Sequence, residues 1–193
     1  MKKFICLILS AIMVLSITSC SLLDDGEPPV VNIDPDAVPP GSVEELYSYY
    51  DQVQRNMTKK TIDKLLGKGE ESRTENGLMV KYRNESKSAG VDVVYTDGGV
   101  VSSKILYYNK QADVAKFCTP FKKEQINELD TNMLVKNIKE VLGDGIEVAC
   151  QYNMNSSGGF SKIYIWFNED GSSLQVHADD DIAKQFVYNE KEQ

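Results

Sequence analysis

One stretch of fifteen residues occurs twice in this chain. Asn56-Met57-Thr58-Lys59-Lys60-Thr61-Ile62-Asp63-Lys64-Leu65-Leu66-Gly67-Lys68-Gly69-Glu70 aligns with Asn132 to Ile146 at an offset of 76, with seven of the fifteen positions identical. Two shorter matches follow in the same order. Asp97-Gly98 pairs with Asp170-Gly171, and Asp113-Val114-Ala115-Lys116 pairs with Asp181-Ile182-Ala183-Lys184. The offset falls along the chain, as expected when loops shorten and elements persist. An internal duplication is the feature that most limits the fold. Each copy, at about 70 residues, is marginal alone, and two side by side could share one larger sheet.

Both copies show the same order of elements. Copy one opens on the capping box Ser42-Val43-Glu44-Glu45, and Val43, Leu46, Tyr47, Tyr50 and Val53 recur at helical spacing. A second short helix is expected over about 59–66, with Thr58 as its cap and Gly67 as its stop. Three strands are expected at 78–83, 91–96 and 100–108, with a turn at Asp97-Gly98-Gly99. Copy two opens on Thr119-Pro120, a cap with proline at the first helical position, and its second helix ends at Gly143. Its strands are expected at 146–153, 160–168 and 173–178. The fold class is α+β, a tandem repeat of helix–helix–antiparallel sheet units. Helices should cover one face of the sheet and leave the other open.

Strand alternation assigns those faces. Ile163, Ile165 and Phe167 should point to the helices with Leu174 and Val176. Lys162, Tyr164 and Trp166 should then point outward with Gln175 and His177. That set is an amphipathic aromatic patch of the kind that anchors protein partners. The alternative is that the aromatic residues pack on both faces of a central strand. The matching face of copy one carries Asp92, Val94 and Thr96 and is less aromatic.

The N-terminal forty residues are of another kind. Lys2 and Lys3 precede an apolar run from Phe4 to Ile17, which has the length of a secretory signal core and is short for a membrane span. It ends in Ile17-Thr18-Ser19-Cys20, which resembles the lipobox of bacterial lipoproteins and implies that Cys20 carries the lipid anchor. Residues 21–41 hold five of the six prolines, with Asp24, Asp25, Glu27, Asp34 and Asp36 and no basic residue. They read as a stiff tether. The acidic residues soon after Cys20 resemble the signal that sends some Bacteroidetes lipoproteins to the cell surface. The expected organisation is a signal peptide at 1–19, lipidated Cys20 and tether to 41, repeat units at 42–117 and 118–188, and a tail at 189–193. The location is the cell envelope, anchored to the outer membrane, at its periplasmic face or at the surface.

Chemistry is sparse. A net charge of −8 argues against nucleic acid as a partner, and a single histidine leaves little for acid–base catalysis. His177 should face away from Cys150, so a Cys–His nucleophile is not expected. No metal or cofactor is called for. Asp179-Asp180-Asp181 lacks the spacing of a calcium loop, and Asp181 fits a helix cap instead. Cys118 and Cys150 remain in an oxidising compartment. They form either a disulfide, with Cys150 on the face of Val148, or two buried thiols.

The Asn-Met-Thr-x-x-x-Ile-x-x-Leu-Leu-Gly stretch from Asn56 resembles the signature of small outer-membrane assembly lipoproteins of the SmpA/OmlA type. The duplicated helix–helix–sheet unit is similar to the plan of the β-lactamase inhibitory proteins. The chain departs from the first pattern: Asn56 and Asn132 stand where that family has glycine, Gly69 and Gly145 where it has proline, and Leu134 in place of a Ser or Thr cap. The resemblance implies a non-enzymatic protein that binds a protein or peptide through its open sheet face. The alternatives are a structural accessory in outer-membrane assembly and a binder of small molecules or glycans at the junction of the copies.

Overall fold

The apolar and capping pattern of the sequence produces an eight-stranded antiparallel sheet with a few short helices. The computed structural model describes residues 36–74, 77–154 and 158–190, all within the compact unit Pro35–Gln193. The expected signal segment and lipid cysteine lie outside the described residues. Helix α1 spans Val43–Tyr47 and α2 spans Lys59–Leu66. Strands β1 (Glu70–Thr74), β2 (Gly77–Arg83), β3 (Ala89–Tyr95) and β4 (Val101–Tyr108) follow. Helix α3 (Gln111–Ala115), a 3-10 helix (Lys123–Glu128) and α4 (Val135–Leu142) precede β5 (Ile146–Tyr152), β6 (Phe160–Phe167), β7 (Ser173–Asp179) and β8 (Ile182–Asn189). The strands lie in chain order from β1 to β8.

The helix signals act as their chemistry dictates. Ser42 accepts a hydrogen bond from the Glu45 amide at 3.0 Å, and the Glu45 carboxylate accepts from the Gly41 amide at 2.8 Å. Thr58 caps α2 through the Thr61 amide. Gly67 and Gly143, at φ 83° and 78°, end α2 and α4 where a β-carbon would strain the backbone. Before each of these helices sits an asparagine at positive φ, Asn56 at 66° and Asn132 at 78°. It swings the chain against the last strand of its half. The Val101 amide donates to the Met57 carbonyl at 3.0 Å, and the Ala183 amide donates to the Met133 carbonyl at 2.8 Å. The bridges Thr58↔Val100 and Leu134↔Ile182 continue this contact.

Four expectations are corrected. Residues 182–189, expected to open as a helix capped by Asp181, form β8. Asp180 and Asp181 both take positive φ, 48° and 61°, and make a two-residue hairpin turn that pairs Asp179 with Ile182. The match between 113–116 and 181–184 therefore joins a helix to a turn and strand. The match at Asp97 and Asp170 joins the β3–β4 turn to the β6–β7 turn. These share turn chemistry: Thr96 bonds Val100 as Asn168 bonds Ser172, and Gly99 and Gly171 both have positive φ. Thr119-Pro120 opens no helix. Instead Thr119 ties to the end of α4, its amide bonding the Asp144 carbonyl and its hydroxyl the Asp144 amide. Lastly, β1 was not expected, because its Glu-Glu-Ser-Arg-Thr run is exposed throughout and carries no apolar pattern.

Alternation gives the sheet two unlike faces. The cross-strand row Val80, Val93, Lys104, Cys150, Lys162, Ala178, Ala183 is buried at every position except Lys162, which is half-buried. Over this first face Leu46, Tyr50, Val53 and Ile62 of the α1–α2 layer cover β2 to β4, and Ile138 and Leu142 of α4 cover β6 and β7. The row on the second face, Glu70, Lys81, Asp92, Ile105, Ala149, Ile163, His177, Gln185, has no buried member. Among the described residues no helix is long and apolar enough to cross a membrane.

The asparagine swing is testable. Asn132→Gly should keep the stability of the protein, because glycine accepts φ 78°. Asn132→Val should lower it by about 1–2 kcal/mol in urea unfolding, the cost of a branched side chain in the left-handed region.

Candidate functional site

The residues expected to form one outward patch are divided between the two faces. Pairing fixes this. The Asn168 amide donates to the Ser172 carbonyl, so Phe167 pairs with Ser173, Trp166 with Leu174 and Tyr164 with Val176. Lys162, Tyr164 and Trp166 therefore share the helix-covered face with Leu174 and Val176. Trp166 is fully buried and its Nε1 donates to the Gly143 carbonyl at 3.1 Å, at the end of α4. Tyr164 is buried and donates to Asp181 Oδ1 at 2.8 Å. Ile163, Ile165 and Phe167, expected under the helices of copy two, lie on the second face. There α3 and its flanks, with Val114 and Cys118, cover Ile165 and Phe167 and leave Ile163 half-exposed.

Gln175 and His177 are on the second face as expected, but without the aromatic residues. Gln175 is buried. His177 is half-buried, with Nε2 shielded from solvent and unpartnered. Burial lowers its pKa below the ordinary histidine range, opposed by the charge of Asp179. The unfolded chain therefore binds a proton more readily than the folded one as the pH falls through the ordinary histidine range. The folded protein should be most stable above about pH 6.5 and lose stability below it. His177→Gln should flatten this slope in thermal unfolding between pH 7.5 and 5.5.

Cys118 and Cys150 are both free and buried, so of the two readings of this pair the buried thiols hold and the disulfide does not. A bulge between Glu147 and Ala149 shifts the alternation of β5. Cys150 thereby moves to the helix-covered face opposite Lys104 and Lys162, while Cys118 lies against the carbonyls of Val114 and Ile165. Burial pushes the Cys150 thiol up to about 11 and also raises that of Cys118. Neither is an activated nucleophile. A thiol reagent should titrate no cysteine of the folded 36–193 domain quickly and both after denaturation, with or without prior reduction.

Two features remain as functional candidates. The first is a polar cluster on the helix-covered face, where β4 meets β5. Glu147 accepts from the Tyr50 hydroxyl at 2.7 Å and pairs with Lys162 at 3.2 Å. Lys162 also reaches Asp181 at 3.4 Å. Lys104 is buried, donates to the Tyr50 carbonyl at 2.9 Å and lies 4.0 Å from the centre of the Tyr50 ring. Burial holds its pKa below the ordinary lysine range. The second feature is the uncovered row of the second face. Ile105, Ala149 and Ile163 make an apolar centre. Lys81 and the Arg83–Asp92 ion pair, 2.6 Å, lie to one side, and His177 and Gln185 to the other. Sequence reasoning missed this row, although the five-residue turn 168–172 carried the parity that reveals it. Among the described residues no group of His, Cys, Asp and Glu could hold a metal ion.

No family model matches the chain, and no curated protein matches it. Among solved structures, a proposed beta-lactamase inhibitor protein from Streptococcus mutans is similar in chain path, at 12% identity and a TM-score of 0.47. The match covers 74% of this chain and 94% of that one.

Proposed function

We propose that this chain is a lipid-anchored envelope protein whose duplicated domain binds another protein, without catalysis, through the strip of the second sheet face that α3 leaves open. The observation that carries the reading is the contrast between the two cross-strand rows. One is buried under helices. The other runs through all eight strands without a buried residue and has Ile105, Ala149 and Ile163 at its centre. An apolar centre rimmed by Lys81, Arg83, Asp92 and Gln185 has the make-up of a protein-binding patch. The anchor is Cys20, and the duplication is supported by the paired asparagine swings and the two equivalent bridges that follow them. The non-catalytic reading is supported by the thiols, which burial keeps protonated, and by His177, on the face opposite Cys150. The groups at the β4–β5 junction bond to one another, which favours a structural role there over a ligand site.

The test is a photocrosslinking residue placed at Gln151 on the uncovered face or at Lys136 on α4. Crosslinking in the intact envelope should give a discrete adduct only from Gln151. Ile105→Arg and Ile163→Arg should each reduce it at least about tenfold, because each isoleucine buried in an interface is worth about 1.5–3 kcal/mol. Adducts from Lys136 alone, or adducts insensitive to both changes, overturn the reading.

A further inference from the structure

Strands β4 and β8 begin in the same way. Residues 56–58 lie along the outer edge of β4, and residues 132–134 lie along that of β8. The Val101 amide donates to the Met57 carbonyl at 3.0 Å, and the Ala183 amide donates to the Met133 carbonyl at 2.8 Å. One residue further on, both strands bulge. Ser102 is left out of the pairing with β3, between Val101 and Ser103. Lys184 is left out of the pairing with β7, between Ala183 and Gln185. Past its bulge β4 takes β5 on the outer edge, at Ser103↔Gln151, Lys104↔Cys150 and Ile105↔Ala149. Past its own bulge, among the described residues, β8 is paired with β7 alone. An edge of this shape therefore accepts a further antiparallel strand once within the chain and stands open a second time at its end.

The two open edges of the sheet differ in what they offer. Strand β1 carries only Glu70, Glu71, Ser72, Arg73 and Thr74, all exposed, which is how an edge is kept single in water. Strand β8 carries Phe186, Val187 and Tyr188, each only half-buried. Its sequence is also complementary to itself. Set antiparallel to a second β8 with Val187 opposite Val187, it places Phe186 opposite Tyr188, Gln185 opposite Asn189 and Lys184 opposite Glu190. Aromatic pairs and opposite charges are favourable cross-strand neighbours. Glu190 already pairs with Lys123 of its own chain and would then lie between two lysines. Moving the centre to Phe186 or Tyr188 loses the Lys184–Glu190 pair and sets Val187 against Gln185 or Asn189.

We infer that β8 is a dimer edge, through which two copies of this chain join antiparallel, about a two-fold axis at Val187, into one continuous sheet. Such a contact uses the same edge on both copies, so it closes at two. Residues 132–134 already occupy the edge at Ile182 and Ala183 and leave the stretch from Lys184 to Glu190 for the second copy. The dimer needs no other partner and leaves the strip of the second face accessible.

The test is disulfide crosslinking of the full chain in intact cells under a mild oxidant. Val187→Cys should give a covalent product of twice the chain mass. Antiparallel partners have Cα atoms about 4.5–5.5 Å apart, within the reach of a disulfide. Only a residue on the axis meets its own copy. Gln185→Cys and Asn189→Cys should each give at least about tenfold less when expressed alone, and the product should return when the two are expressed together. Lys136→Cys, on α4, should give none. Independently of any new thiol, two differently tagged copies should co-purify, and Val187→Lys, which sets like charges on the axis, should abolish this. No product from Val187→Cys, equal product from every cysteine variant, an adduct of any other mass, or co-purification that is absent or survives Val187→Lys overturns the inference.

Discussion

Antiparallel pairing leaves each strand residue a choice of only two sides, and that constraint governs this protein. Once Phe167 is set opposite Ser173, the sides of Trp166, Tyr164 and Lys162 follow, and so do those of their neighbours across the sheet. Tyr164 and Trp166 of β6 are therefore core, closed over by Ile138 and Leu142 of α4, while Ile165 and Phe167 take the other side, where Val114 and Cys118 pack with them. Which face these aromatic residues take is here a matter of parity, decided by the length of one turn.

Much of the architecture was written locally. Ser42 and Glu45, Thr58, Gly67 and Gly143 each act at the nearest backbone groups, and the helix signals they carry were readable without knowledge of the fold. The recurrence of Asn-Met before α2 and α4 was readable too, and the structure gives it a cause in the shared positive φ. What was not legible depends on distant context. Strand β1 pairs with β2 through its backbone and has no apolar side to announce itself. The β5 bulge reverses the side taken by Cys150, and nothing in Ile146 to Cys150 advertises it. The turn at Asp180 and Asp181 needs two residues at positive φ, which aspartate tolerates but does not demand. The face of Tyr164 and Trp166 was not legible for a different reason: it depends on the pairing of Phe167 with Ser173 across the turn, not on their aromatic character.

The charged residues of the covered face show what a junction between two halves requires. Lys104 lies in a row of buried side chains and would be costly there without partners. Its ammonium is held by a carbonyl and a ring of Tyr50 and lies near Glu147, so the charge is shared among groups from both halves. Apolar residues cross the same seam, since Ile146, Val148, Ile165 and Phe167 share a core with Leu46 and Val91, and the bonds to Glu147 satisfy the polar groups buried beside them.

Strand order that equals chain order has a kinetic meaning. Each strand from β2 onward pairs with the one made just before it, and only β5, which follows β4 after α3, the 3-10 helix and α4, closes a long connection. A chain that emerges N-terminus first, from a ribosome or through a pore, can therefore build this sheet as it arrives. Its growing edge is always the newest strand, and in the finished sheet of a single chain only the first and last strands, β1 and β8, keep a free edge in water.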